Sequence, residues 1–171
     1  MFSTNRKLAT TALSGVALVA IVGQALAFGY EFKAPYRCDV PQAGQLEGTV
    51  TGFLTITPAA ISAGTPVRII LALKAPIDTP VEIGNWKGSI DMDLTGPEPT
   101  TLRLTAAGTR YRAGEIIGVQ LEGTWTPGKA GTYELYAGKA TVEADAAGVG
   151  RVSVTCTPDS PRPVAETLTV K

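Results

Sequence analysis

The 171-residue sequence contains no histidine. Histidine is the commonest general base and a frequent zinc ligand, so its absence excludes serine–histidine nucleophiles and the usual histidine-containing zinc sites. Serine is scarce, and no G-x-S-x-G, S-x-x-K or phosphate-binding glycine motif occurs. We therefore expect a protein that is not an enzyme and that holds no cofactor and no metal ion.

Paired carboxylates are the remaining candidates for acid–base chemistry or calcium binding. Asp91 and Asp93 stand two residues apart in a strand-like segment and point to the same face, and Glu143 and Asp145 repeat this arrangement. A calcium site needs more oxygen ligands than two. The simpler interpretation is that both pairs lie on solvated strand faces.

Positive charge is not in excess, since 15 Lys and Arg residues stand against 15 Asp and Glu residues. A surface that binds nucleic acid normally needs clustered basic residues. Nucleic acid is therefore excluded as a partner.

Only one long hydrophobic run occurs, and it lies near the N terminus. Arg6 and Lys7 precede the apolar residues 8–23, and Ala25-Leu26-Ala27 has the small-x-small pattern of a cleavage site. The run is shorter than the about 20 residues that span a membrane. We predict that residues 1–27 are a signal peptide, with a buried N-terminal helix as the alternative.

Cleavage at this site would release residues 28–171 as a secreted, extracellular chain that has no membrane segment. Cys38 and Cys156 are its only cysteines. An even number of cysteines in an oxidising compartment indicates a disulfide, although two free thiols or a metal-binding pair are alternatives. The bond would close a loop of about 119 residues and stabilise the fold by about 4–5 kcal/mol in the chain-entropy model.

Apolar and polar residues alternate in short runs along the predicted mature chain. A period of two predicts strands that each bury one face, and no window keeps the 3.6-residue period of an amphipathic helix. Gly, Pro and Asp between the runs favour turns. The runs lie at residues 49–57, 66–74, 90–94, 102–104, 119–121, 133–135, 140–142, 152–154 and 168–170.

About eight or nine strands at regular spacing predict an all-β, immunoglobulin-like β-sandwich with one disulfide, formed by residues 28–171 as a single domain. The cysteine–tryptophan–cysteine pattern of immunoglobulin domains is absent, because Trp86 lies far from both cysteines. The term immunoglobulin-like therefore describes the expected architecture alone.

Aromatic residues are few, and four of them fall in residues 28–36. Phe28, Tyr30 and Phe32 would share one face of an extended segment. This segment is either the first strand of the domain or, at residues 28–35, an N-terminal arm that docks on another subunit.

A second candidate for partner binding is Arg110-Tyr111-Arg112, which would form an exposed loop tip, since Arg and Tyr are frequent at interface hot spots. A solvated hairpin loop is the alternative. The remaining aromatic residues are expected in the core, or as a sugar-stacking surface if several were exposed together. They are Trp86, Trp125, Tyr133 and Tyr136, with Tyr111.

Three segments of the chain resemble a family of actinomycete secreted β-sandwich domains of uncharacterised function. They are Tyr36-Arg37-Cys38, residues 60–67 and the closing Val154-Thr155-Cys156-Thr157-Pro158-Asp159. The resemblance covers nearly all of the predicted mature chain. It implies a sandwich, the same disulfide and a last strand at residues 164–170, and it supplies no catalytic residues.

A looser similarity connects the size, signal peptide, disulfide and aromatic arm with the small adaptor subunit of actinomycete umbrella toxin particles. The resulting hypothesis is a non-catalytic adaptor or structural subunit of an extracellular assembly, whose partners are other secreted or surface proteins. The alternatives are a carbohydrate- or cell-wall-binding module and an inhibitor or weak enzyme.

Overall fold

The computed structural model describes residues 29–41 and 44–171, and within them it contains nine strands and no helix that could cross a membrane. The predicted signal peptide and Phe28 lie outside the described residues. The strands are β1 (Tyr30–Val40), β2 (Gly44–Thr57), β3 (Val67–Asp78), β4 (Ile83–Thr95), β5 (Thr100–Gly108), β6 (Ile116–Trp125), β7 (Gly131–Ala146), β8 (Gly150–Pro158) and β9 (Val164–Val170).

Eight of these strands form a closed antiparallel barrel. The order around the barrel is β4-β5-β6-β3-β2-β1-β8-β7, and pairing of β4 with β7 closes it. β7 is long enough to have two partners along its other edge. Its first half pairs with β9, which lies outside the barrel, and its second half pairs with β8.

The predicted immunoglobulin-like β-sandwich is therefore wrong, and so is the sandwich that the family resemblance implies. Alternation shows that each strand buries one face, but sandwiches and barrels both meet that condition. The two architectures differ in which strands pair. The decisive pairing joins β4 to β7 over the registers Ile83↔Ala146 to Thr95↔Glu134, which are far apart in sequence.

The all-β prediction is confirmed, and several local predictions agree with the strands observed. Turn residues 147–149 connect β7 to β8 in a hairpin, and the turn at residues 96–99 connects β4 to β5. The last strand covers Val164–Val170, as the resemblance implies. Local alternation and turn chemistry were sufficient here because each hairpin joins neighbours in the sequence.

The predicted disulfide between Cys38 and Cys156 is confirmed. The two cysteines are directly opposed in the antiparallel ladder of β1 and β8, with a Cα–Cα distance of 3.9 Å. That ladder is short, since it extends only from Tyr36↔Pro158 to Asp39↔Thr155. The disulfide thus links two neighbouring strands that share one of the shorter ladders of the barrel.

Large apolar side chains fill one end of the barrel, which we call the packed end. Trp125 and Tyr133 meet there edge to face, with ring centroids 5.0 Å apart. Glycines give the larger rings room: a Cβ on Gly52 would lie 2.4 Å from the ring of Phe32. The other buried side chains of the packed end include Leu54, Ile69, Leu71, Met92, Leu94, Leu104 and Leu135.

Replacing both cysteines, in Cys38→Ala/Cys156→Ala, should lower the free energy of unfolding by about 4–5 kcal/mol, because the unfolded chain regains the freedom of a long loop. Urea denaturation under non-reducing conditions would measure the loss. The adjacent ladder pair offers a matched control, Asp39→Ala/Thr155→Ala, which should cost less than about 1 kcal/mol. Equal losses in the two double variants would show that the disulfide stabilises the fold no more than an ordinary pair of facing side chains does.

Candidate functional site

The end of the barrel opposite the packed end holds an apolar cavity of about 580 Å³. Seven of the eight barrel strands contribute to its wall, and the side chains that line it are apolar almost throughout. Tyr36, Ile90 and Leu121 belong both to the buried core and to the cavity lining, so they form its floor. We call this space the barrel cavity.

The cavity exists because small side chains occupy inward-facing positions at this end. The inward face of β7 carries Ala140, Val142, Ala144 and Ala146 where its first half carries Tyr133 and Leu135. Gly48 of β2 and Gly88 of β4 also line the cavity. An eight-stranded barrel has an interior that large side chains just fill, so small ones leave it partly empty.

Apolar side chains remain accessible to solvent around the mouth of the cavity. Leu46 is 40% exposed, Val142 is 38% exposed, and Val149 in the β7–β8 turn is similarly accessible. All three line the cavity, which is therefore open to solvent and apolar at its rim. A group of exposed apolar residues around a concave opening is typical of a binding site.

Two aromatic residues stand at the mouth. Trp86 and Tyr111 have ring centroids 5.7 Å apart and planes inclined by 34°. The indole packs directly on Gly108 of β5, where a Cβ would lie 2.6 Å from Nε1. A side chain on Gly108 would therefore displace Trp86 from the cavity wall.

The loop that carries Tyr111 is fastened to the strand ends around it. The backbones of Tyr111 and Ile83 form two hydrogen bonds of 2.9 Å each. The buried Thr79 hydroxyl donates to the Arg112 carbonyl at 2.5 Å, and Gly114 N–H donates to the Thr79 carbonyl at 2.8 Å. These bonds hold the aromatic ring at the rim.

The hydroxyl groups of the lining tyrosines are bonded to backbone. Tyr36 donates to the Gly138 carbonyl at 2.9 Å, and Tyr111 donates to the Gly118 carbonyl. Burial raises the pKa of both phenols, so both stay neutral at physiological pH. The carboxylate of Glu47 accepts a hydrogen bond from Arg37 Nε at 3.1 Å, on the solvent side of the wall. The cavity therefore presents an uncharged surface.

Of the residues predicted to bind a partner, five lie in the described part of the chain, and among these five Tyr111 alone lines the barrel cavity. Arg110 and Arg112 flank it on the exposed side, and Arg110 forms an ion pair with Glu82 at 2.7 Å. Tyr30 and Phe32 belong to β1, which pairs with β2 of its own chain along its whole length. Phe32 is buried at the packed end, whereas Tyr30 is 65% exposed.

The five aromatic residues considered as a sugar-stacking surface do not share a face. Trp125 and Tyr133 are buried in the packed end, and Trp86 and Tyr111 stand at the cavity mouth. Tyr136 lies elsewhere, under the guanidinium of Arg162 at 5.6 Å.

The carboxylate pairs lie on the outer surface of the barrel, as the simpler interpretation predicted. Asp91 pairs with Arg103 at 2.8 Å, and Asp93 pairs with Arg162 at 2.5 Å. In the part of the chain that the structure describes, no three side chains of His, Cys, Asp or Glu come close enough to hold a metal ion together.

A second cleft, of about 630 Å³, lies where β9 meets the beginning of β1 and the end of β2. Glu166 lines it, and one carboxylate oxygen of this residue is buried and has no hydrogen-bond partner among the described residues. The pKa of Glu166 is raised, because the effect of burial outweighs that of a hydrogen bond of 2.9 Å that the N–H of Thr167 donates to the other carboxylate oxygen. Tyr30 also lines this cleft.

Sequence reasoning missed the residues that create the barrel cavity. A signal was present in residues 139–146, since every second residue of this strand is an alanine or a valine rather than a larger apolar residue. Its meaning depends on knowing that these side chains point into a closed barrel. In an open sheet the same residues would pack flat against a neighbouring layer.

Comparison of the chain with protein-family models, with curated proteins and with solved structures finds no match.

Filling the cavity should stabilise the protein. Ala140→Val adds two carbons to a residue of the cavity wall, and we expect it to raise the free energy of unfolding by about 1 kcal/mol. The same change at Ala34, which is buried in the core and does not line the cavity, should lower it by about 1–3 kcal/mol through overpacking. Chemical denaturation of both variants tests this contrast, and destabilisation of similar size at both positions would mean that no usable space exists at Ala140.

Proposed function

We propose that this chain is an exported, non-catalytic binding protein that takes up a small, uncharged, apolar molecule in its barrel cavity. The observation that carries the proposal is the open, apolar space of about 580 Å³ at one end of the barrel. Pockets for small molecules usually measure about 300–1,000 Å³ and are mostly apolar. The disulfide between Cys38 and Cys156 agrees with an oxidising compartment.

Solvation supports an apolar occupant. A buried water molecule needs two to four polar partners, and the two phenol groups of the lining already donate to backbone carbonyls. Water therefore gains little in this space, whereas an apolar molecule gains about 25 cal/mol for each Å² removed from water. The exposed rim residues Leu46 and Val142 would be covered by the same molecule.

The composition of the wall supports binding without catalysis. Acid–base chemistry needs titratable groups with pKa values close to neutrality within reach of the substrate. The pKa of Tyr36 and that of Tyr111 are both shifted upward, away from neutrality, and Glu47 is engaged by Arg37. The lining can therefore bind a molecule through its shape and through apolar contacts, and its described residues supply no group for acid–base chemistry.

Uptake of the neutral fluorescent probe N-phenyl-1-naphthylamine tests the proposal. The probe should gain fluorescence with the wild-type chain, and Val142→Arg should weaken its binding about tenfold or more, equivalent to about 1.4 kcal/mol. The substitution places a charged side chain at the mouth, where Val142 is already accessible enough to accommodate it.

Val164→Arg is the matched control for this experiment. Val164 is 43% exposed, lies on β9 and does not line the cavity, so its replacement should leave binding of the probe unchanged. Absence of probe uptake by the folded wild-type chain, or an equal loss in both variants, would contradict the proposal.

A second candidate function is the adaptor role inferred from the sequence, and the edge of β1 favours it. β8 pairs with Tyr36–Asp39 only, so Tyr30–Ala34 have no strand partner on that edge among residues 29–41 and 44–171. A free strand edge can accept a strand from another polypeptide. The exposed Tyr30 stands at the end of this edge, beside the cleft that contains Glu166.

The adaptor proposal predicts stoichiometric co-elution of the chain with another secreted protein from the culture fluid of its producer. Tyr30→Ser should reduce co-elution about tenfold, because an exposed aromatic anchor often carries much of the binding energy. Phe53→Ser is the control, since Phe53 is exposed on the outer face of β2. Elution of the chain alone, or equal losses in both variants, would count against the adaptor role.

A further inference from the structure

The wall of the barrel cavity differs from one side to the other. β4 and β7 are neighbours, and their inward positions pair Trp86 with Ala144, Gly88 with Val142 and Ile90 with Ala140. The indole therefore lies among small side chains, and no bulky neighbour on β7 covers it.

The facing side of the cavity is aliphatic. In the closed order of eight strands, β2 lies four positions from β4 and β3 lies four positions from β7, so each pair is on opposite sides of the barrel. β2 contributes Leu46, Gly48 and Val50, and β3 contributes Leu73 and Ala75. The cavity is thus bounded by one side that carries Trp86 and by a facing side without an aromatic residue.

Two features fix the position of the indole before any ligand arrives. Trp86 packs on Gly108, whose missing side chain leaves room for the ring. Tyr111 stands 5.7 Å from it and is held by backbone hydrogen bonds to Ile83. A surface held in place costs little entropy when it binds, so it favours a ligand that is itself rigid.

We propose that the ligand of the barrel cavity is a flat, rigid, uncharged ring system that stacks on Trp86, rather than a flexible acyl chain. This inference rests on the proposed function. A flat ring system gains the specific attraction between aromatic surfaces in addition to the burial of its area. A flexible chain must lose rotational freedom about each of its bonds to enter the same space. Trp86 acts here as the specificity-determining residue, and the branched residues of β2 and β3 close on the other face of the ligand.

Displacement of N-phenyl-1-naphthylamine by two matched competitors tests the inference. Phenanthrene is flat and rigid, and 1-tetradecanol has the same number of carbons in a flexible, uncharged chain. We expect phenanthrene to displace the probe from the wild-type chain at an about tenfold lower concentration. Trp86→Leu should reduce this preference to about twofold or less, and Trp86→Phe, which keeps a ring, should retain most of it.

Contact with the indole can be measured separately. Trp86 and Trp125 are the only tryptophans, so Trp125→Phe leaves Trp86 as the single indole fluorophore. Phenanthrene should change the emission of Trp86 in proportion to probe displacement, and 1-tetradecanol should change it much less. Tyr136→Leu, an aromatic change on the outer surface, is the control and should preserve the preference of the wild-type chain.

The outcomes separate the inference from the function on which it rests. Equal displacement by both competitors, or a preference that survives in Trp86→Leu, would overturn the flat-ligand inference while uptake of the probe still supported the apolar cavity. Failure of the wild-type chain to bind the probe would overturn both. If Trp86→Leu does not fold, the emission of Trp86 still decides the matter, because an emission that responds equally to both competitors would overturn the inference.

Discussion

Closure of the barrel is the constraint on which the other features depend. Once eight antiparallel strands close on themselves, the width of the interior is set by the strand number and stagger, and inward-facing side chains must fill whatever volume results. At the packed end they do so with residues such as Leu54, Met92 and Tyr133. At the other end, the alanines and glycines of β7, β4 and β2 are too small to meet across the barrel. The barrel thus has a packed core at one end and a cavity at the other, and buried core residues form the floor of the cavity.

Neighbouring strands of the barrel pair over ladders of different length. β5 and β6 share a single ladder pair, Thr105↔Glu122, and the ladder of β1 and β8 extends over four residue pairs. The ladder of β4 and β7 is far longer. The disulfide joins β1 to β8 and also lines the cavity, so it cross-links the cavity wall where few backbone pairs do so. The unfilled end lacks some of the dispersion contacts that stabilise a packed interior, and the disulfide adds a covalent link to its wall.

Strands, turns and the disulfide could be predicted because each leaves a local mark. The alternation of residues 49–57 and 66–74 matches β2 and β3, and the two cysteines had only one intrachain partner each. The cavity could not be predicted in the same way. Val142 and Ala144 resemble ordinary strand residues until β4 is placed beside them and β3 across from them. Tyr111 was selected as an exposed loop residue, and its place at the cavity mouth follows from its backbone bonds to Ile83.

By itself, the sequence determined that the described chain is built from strands, because period-two alternation and frequent Gly and Pro leave no stretch suited to a long helix. It also determined which two cysteines could pair, because only two exist. Tertiary structure alone decided between sandwich and barrel, since both bury one face of every strand and differ only in which distant strands pair. It also decided that small side chains at one end enclose a space, because whether an alanine packs against a neighbour or faces a void depends on what lies across the barrel from it.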